Sequence, residues 1–322
     1  MKGYSFETVL GRVSEKEMGH TQPHEHLYIV GTIDQIRCEE ICINNFPASM
    51  EELKMYRNAG GGSVVDANPI ATGRDGLALK DLSRLTGVQI IATTGFHIPK
   101  FYPKNHWIWD ASAEKLADLF SDELENGMYQ DGTWYWPEYQ TDCKAGLIKA
   151  MINREGLRNP QTVKLLKAAG MASRRTGTSV MLHTEGTDVL ETIDLLAGEL
   201  GVPENKLLVC HVDRQAEDYS IHEAVASTGV YMEYDTITLF EFHNVASEVK
   251  LLRHMIEKGY LKQLLLSTDP TTDRLKSYRG TVGIDYILTE FIPILQESGF
   301  SNDEIYQMTH ANPWAALSKY KK

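Results

Sequence analysis

Two histidines, His24 and His26, stand two residues apart in the segment QPHEHLY. In an extended chain that spacing puts both imidazoles on one face, where they can share an ion. Further along, single ionisable residues interrupt or close short apolar runs: Lys149 in AGLIKAM, His183 in VMLHTEG, His211 in LLVCHVDR and Asp269 in LLLSTDP. Each histidine taken alone reads most simply as a hydrogen-bonded structural residue. Lys149 demands more, because an unpaired ammonium inside an apolar strand is costly to bury. Brought to one place, the four imidazoles, the amine and the carboxylate would make a centre for two divalent ions.

The elements that must position these residues follow from periodicity. Apolar, β-branched runs occur at 20–28, 63–67, 88–93, 146–151, 178–183, 206–211, 229–234 and 263–268, and predict strands. Between them, helical spacing predicts helices over 49–59, 75–85, 113–124, 160–175, 188–200, 221–227, 246–258 and 282–297. Pro160 after Asn159 marks a helix start, and Gly201 a helix end. A strand and a helix repeated over units of about 40 residues describe an α/β fold, one (β/α)8 TIM barrel across residues 1–322. Chemistry in such a barrel collects at the C-terminal ends of the strands, where His183, His211 and Asp269 fall. The stretch 95–142, rich in aromatics, Gly and Pro, predicts long loops that cover a site or make a homodimer contact.

Composition narrows the partners. With 32 Lys and Arg against 44 Asp and Glu, the formal charge is −12, which argues against nucleic acid and anionic membranes. No apolar run approaches the roughly 20 residues of a membrane span. The first residues are broken by charge too early for a signal peptide, so a cytoplasmic location is expected. The cysteines at Cys38, Cys42, Cys143 and Cys210 form no paired thiolate zinc motif and are expected to be reduced.

As a set, the HxH pair, the lysine of KAGLIK, the two strand-end histidines, the strand-end aspartate and the closing segment EIYQMTHANPWAAL resemble the phosphotriesterase family of the amidohydrolase superfamily. The resemblance implies that His24, His26 and Asp269 hold one ion and that His183 and His211 hold the other. It further implies that Lys149 bridges the two as a carbamate, with zinc the leading metal and manganese or cobalt as alternatives. Carboxylation would turn a costly buried cation into a two-oxygen anionic ligand. A water shared by two such ions loses a proton near neutral pH, and Asp269 would pass it to a leaving oxygen.

The loops after the later strands bear on substrate. Arg214 follows a ligand by three residues, Glu233 and Asp235 close the seventh run, and Arg274, Lys276, Tyr278 and Arg279 follow the eighth. Cations and a tyrosine there suit a small anionic group such as a phosphate. The cluster is similar to that of family members that open phosphorylated sugar lactones, which implies a lactonase of pentono-1,4-lactone 5-phosphates or related compounds. Two other readings stay open: a phosphotriesterase or carboxylesterase of unphosphorylated substrates, and a non-catalytic binding barrel.

Overall fold

Each of the eight apolar runs forms a strand in the computed structural model, which describes residues 6–30 and 41–320. Cys38 lies outside the described residues. A hairpin that the periodicity did not predict comes first, β1 (Phe6–Thr8) and β2 (Gly11–Val13). The parallel strands follow as β3 (His20–Glu25), β4 (Gly61–Asp66), β5 (Gln89–Gly95), β6 (Leu147–Ile152), β7 (Val180–Thr184), β8 (Leu207–Val209), β9 (Tyr231–Tyr234) and β10 (Leu264–Leu266). Each pairs with its neighbour in sequence, in the order β3 through β10. Helices cover the outside, so the strands are buried on both faces and most read as apolar runs, β3 (HTQPHE) being the polar exception.

Side chains close the ring between β10 and β3. The His24 N–H donates to Ser267 Oγ at 2.9 Å, and the Asp269 N–H to the His24 carbonyl at 3.2 Å. The Glu25 carboxylate accepts the Thr268 N–H at 3.0 Å, the Thr268 hydroxyl, and the Gln22 amide at 2.6 Å. This is a nearly closed eight-stranded barrel, the TIM-barrel architecture that the strand-helix repeat predicts.

The barrel interior is filled by Val65, Ala67, Ile91, Leu147, Met181, Leu208 and Leu265, continuous with Phe6 and Val13 of the hairpin. The hairpin is fastened there by the Val9 N–H on the Ile90 carbonyl and by an edge-on contact of Phe6 with Trp314. The opposite, C-terminal end of the strands is therefore the end left for chemistry.

Helix starts carry the caps the sequence offers: Asn45, Asp75, Ser112, Asn159, Asp218 and Asn244 each accept a backbone N–H with their side chains. Two predicted helices are less regular than expected. Over 188–200 the chain is α-helical only at Val189–Ile193 and then widens to a π turn at Asp194–Glu199. Over 282–297 it turns first, makes a π turn at Ile287–Phe291, and becomes α-helical at Ile292–Glu297, where Pro293 has no N–H for the ladder.

Candidate metal centre

β3 delivers His24 and then, just past its end, His26. β6 delivers Lys149, β7 delivers His183, and His211 and Asp269 follow β8 and β10. The backbone turns sharply at the last two: His211 has φ 62° and Asp269 φ 43°, left-handed conformations that a residue with a Cβ disfavours. Each costs on the order of 1 kcal/mol and redirects a side chain at the barrel mouth, where strain of this kind gathers.

Second-layer hydrogen bonds set the imidazoles. His24 Nδ1–H lies 2.8 Å from Asp235 Oδ2 and 3.1 Å from Glu233 Oε2. His211 Nδ1–H donates to Asp235 Oδ1 at 2.8 Å, and His26 Nδ1–H to Asn68 Oδ1 at 2.8 Å. With Nδ1 engaged by these acceptors on all three rings, Nε2 is the atom that each ring presents to the site. His26 Nε2 faces Asp269 Oδ1 at 3.1 Å, and His24 Nε2 is 3.6 Å from the same oxygen. His211 Nε2 faces His183 Nδ1 at 2.7 Å. These five side chains thus fall into a group of His24, His26 and Asp269 and a pair of His183 and His211, and His24, His211 and Asp269 bring donor atoms within 4.8 Å of one another.

Lys149 lies at the floor, fully buried. Its Nζ is 3.0 Å from His24 Nε2 and 3.3 Å from Met181 Sδ, and among the described residues it makes no ion pair with a carboxylate. An ammonium in that position is short of acceptors, as the sequence suggested.

The electrostatics favour cations. Burial and the Lys149 charge act to depress His24, yet Asp269 and Asp235 overcome them and carry it up to about 9. Burial opposes ionisation of Asp269, but His24, His26 and His211 hold its carboxyl well below the usual carboxylate range. Burial, with His211 next to it, keeps His183 neutral, which leaves it available as a ligand. Imidazole nitrogens, an ionised carboxylate and an amine deficient in partners are donors of the kind that divalent metal ions take up, with release of protons such as the one His24 holds.

Above this floor opens a cavity of about 310 Å³, lined by His24, His26, His183, His211 and Asp269 and, higher up, by Lys100, Arg214 and Arg274. An adjoining hollow of about 440 Å³ shares His211, Arg214, Glu185 and Phe242 with it but reaches no other member of the ligand set. The smaller cavity is therefore the site of chemistry. Arg214 leans over Phe242, with Nη2 3.8 Å from Asp269 Oδ2, and its buried Nε has no hydrogen-bond partner among the described residues. Arg274 is more committed: Nη1 donates to Thr238 Oγ1 and the Thr268 carbonyl, both at 2.8 Å, and Nη2 to the Asp269 carbonyl.

Lys276 and Tyr278, singled out from the sequence for their position past β10, do not line this cavity. Lys276 pairs with Asp285 at 2.7 Å, and Tyr278 bonds the Asn45 backbone and Ser49 Oγ on the neighbouring helix. Sequence proximity to a strand end placed them near the mouth, but Tyr278 braces the start of the helix Phe46–Asn58 and Lys276 is taken up by Asp285.

Other residues join the site unannounced. His97 follows β5 and packs its ring 5.4 Å from that of His183, against Phe101. Its position directly past a strand, in TTGFH, was the available signal. Asn68 and the pairing of Asp235 with both His24 and His211 carried none, since each is a contact between distant strands. The stretch 95–142 divides: Ile98, Lys100 and Phe101 wall the cavity, whereas Trp134, Tyr135 and Tyr139 face outward.

A nearly closed (β/α)8 barrel with a metal-type donor set at its mouth defines a metal-dependent hydrolase. The phosphotriesterase family model matches residues 4–317, and the chain belongs to that family. The phosphotriesterase homology protein of Escherichia coli is 30% identical over 92% of this chain and 96% of its own length. The phospho-furanose lactonase of Mycoplasmopsis synoviae is 27% identical over 97% of this chain and 91% of its own. A crystal structure of a lactonase from Listeria monocytogenes superposes with a TM-score of 0.89 at 25% identity, covering 98% of this chain and 100% of that one. No helix among the described residues is long and apolar enough to cross a membrane.

Proposed function

We propose that the protein is a binuclear metal-dependent lactonase that opens phosphorylated sugar lactones, with pentono-1,4-lactone 5-phosphates as the type substrate. The observation that carries this reading is one cavity: His24, His26, His183, His211 and Asp269 at its floor beside the buried Lys149, and Arg214 with an uncommitted buried Nε in its wall. The kinship with a protein named phospho-furanose lactonase supports the substrate class.

His24, His26 and Asp269 would hold one ion, His183 and His211 the other, and Lys149, carboxylated, would reach both. Zinc suits imidazole and carboxylate donors best, with manganese or cobalt as substitutes. When bound, the two ions supply an activated water and a polarised carbonyl.

The chain's own residues do the rest. Asp235 and Asn68 engage the Nδ1–H groups of His24, His211 and His26, so Nε2 is the atom each ring would offer an ion, which at His24 would displace a proton. Asp269, held ionised by the histidines around it, takes the proton released as water adds to the lactone carbonyl. It returns that proton to the ring oxygen as the C–O bond breaks, giving the hydroxy acid. Arg214 meets the phosphate through charge, and Lys100, which lines the same cavity, adds to it. Arg274 acts chiefly by holding the Thr268 and Asp269 carbonyls, and so the backbone that aims Asp269.

The test assays zinc-loaded protein on a lactone 5-phosphate and on the same lactone without phosphate. The expected kcat/KM favours the phosphorylated compound by at least about tenfold, and Arg214→Met narrows the gap by raising KM. Equal rates on the two compounds would remove the phosphate assignment, and no hydrolysis of either would remove the lactonase reading.

A further inference from the structure

About the loop that follows β9, a second group of ligating side chains is packed out of contact with solvent. Asp213, in the turn after His211, and Glu248, on the first turn of the helix Val245–Glu257, have no exposed surface, and the His243 side chain is 2% exposed. One donor atom of each lies within 4.8 Å of the other two. None of the three lines the catalytic cavity.

Hydrogen bonding within the group is incomplete in a specific way. Asp213 Oδ2 accepts the Thr236 N–H at 2.7 Å, and His243 Nε2 meets Thr236 Oγ1 at 3.2 Å. Asp213 Oδ1, His243 Nδ1 and both oxygens of Glu248 have no hydrogen-bond partner among the described residues. The nearest approach between them is 3.5 Å, His243 Nδ1 to Glu248 Oε2. Two fully buried carboxyl groups with open oxygens ionise in a low-dielectric interior only beside a compensating charge, and without one burial and repulsion from neighbouring carboxylates push both toward the protonated form. Of the described residues, no lysine or arginine forms an ion pair with either.

We infer that Asp213, His243 and Glu248 form a third cation site, separate from the catalytic pair, that takes a divalent transition ion such as zinc. Two carboxylate oxygens and one imidazole nitrogen are the hard and borderline donors such an ion selects, and one donor atom from each residue lies within 4.8 Å of the other two. The ion neutralises both buried carboxylates at once. Its role is structural: it ties the start of the helix Val245–Glu257 to the turn after β8. Through the Thr236 N–H on Asp213 it also fixes the residue next to Asp235, which orients His24 and His211.

Crystals of the full chain grown at neutral pH with excess zinc, with anomalous data collected on either side of the zinc edge, test this directly. The expected map has a peak enclosed by Asp213, His243 and Glu248, in addition to any at the barrel mouth. Glu248→Gln keeps the shape and removes a charge, and should lose this peak alone. A wild-type map without density there, whether or not the mouth is occupied, overturns the third site. A peak that persists in full in Glu248→Gln overturns Glu248 as its ligand. Failure of the catalytic reading would instead show at the mouth, so the two outcomes are separable. Bound zinc per chain, counted by elemental analysis of folded protein, should fall by one equivalent in both Glu248→Gln and His243→Gln; unchanged counts contradict the site.

Discussion

Asp235 receives an imidazole N–H from His24 and another from His211, both at 2.8 Å, so one carboxylate orients rings from opposite sides of the site. Ion affinity at the mouth therefore depends on a residue that is not itself placed as a ligand. Asp269 differs in kind, since one of its oxygens faces His26 while the other points toward Arg214 in the cavity wall. The low proton affinity that its histidine neighbours impose keeps it a base at neutral pH. Asp269→Asn should lower kcat by about a hundredfold or more while leaving the unfolding midpoint of ion-free protein nearly unchanged, as expected for loss of a general acid-base group. Turnover of this variant near the wild-type rate would remove Asp269 as the proton carrier. At this scale the residues gathered at the barrel mouth were legible from the sequence because each sits on or beside one of the predicted strand runs. The orienting partners were not, because nothing local ties Asn68 to His26 or Asp235 to His24.

The strands were legible for the same reason that they are stable. With both faces covered, most had to be largely apolar, and β4 to β7 fall within a few residues of the predicted runs, whereas β3, His20–Glu25, is as buried but polar and spends its side chains on hydrogen bonds. β8 and β10 end earlier than their apolar runs, because the chain must break from extended geometry to aim His211 and Asp269, and that choice of φ has no compositional signature. The hairpin β1–β2 was missed because three-residue strands leave no period to read. Closure of the ring was equally invisible, since it rests on Glu25 of β3 accepting from Thr268 just past β10. That seam joins the strands that bear His24, His26 and Asp269, so it should govern the ion they share. Glu25→Ala would strand buried donors on Gln22 and Thr268 and is expected to cost about 1–3 kcal/mol of stability. Urea unfolding and bound-metal analysis check this, and an unchanged midpoint with full metal content would show that the seam is carried by other contacts.

Across the whole molecule, a chain of net charge −12 gathers Lys100, Arg214 and Arg274 around the cavity that the histidines and Asp269 line, so an acidic protein concentrates basic side chains at its mouth. Away from it, buried neutral histidines set the response to acid. His222, bonded to the Tyr234 hydroxyl at 2.9 Å, is held at about 4 by burial. Its folded value lies below the unfolded one near 6.5, so the unfolded chain binds a proton that the folded chain refuses. The stability this group confers is complete above about 6.5 and fades as pH falls toward 4. Ion-free wild type should accordingly lose its stability advantage over His222→Gln across that window, as followed by thermal unfolding; a constant difference would mean that His222 does not titrate with folding. The central claim, a metal-dependent lactonase built on a modified Lys149, is tested most directly by zinc reconstitution of ion-free wild type and Lys149→Ala, with hydrolysis of a pentono-1,4-lactone 5-phosphate as the readout. The expected result is full activity in wild type and at least about a thousandfold loss in the variant, partly restored by short carboxylic acids that replace the missing ligand. Wild-type rates in reconstituted Lys149→Ala, or equal hydrolysis by ion-free protein, would contradict it.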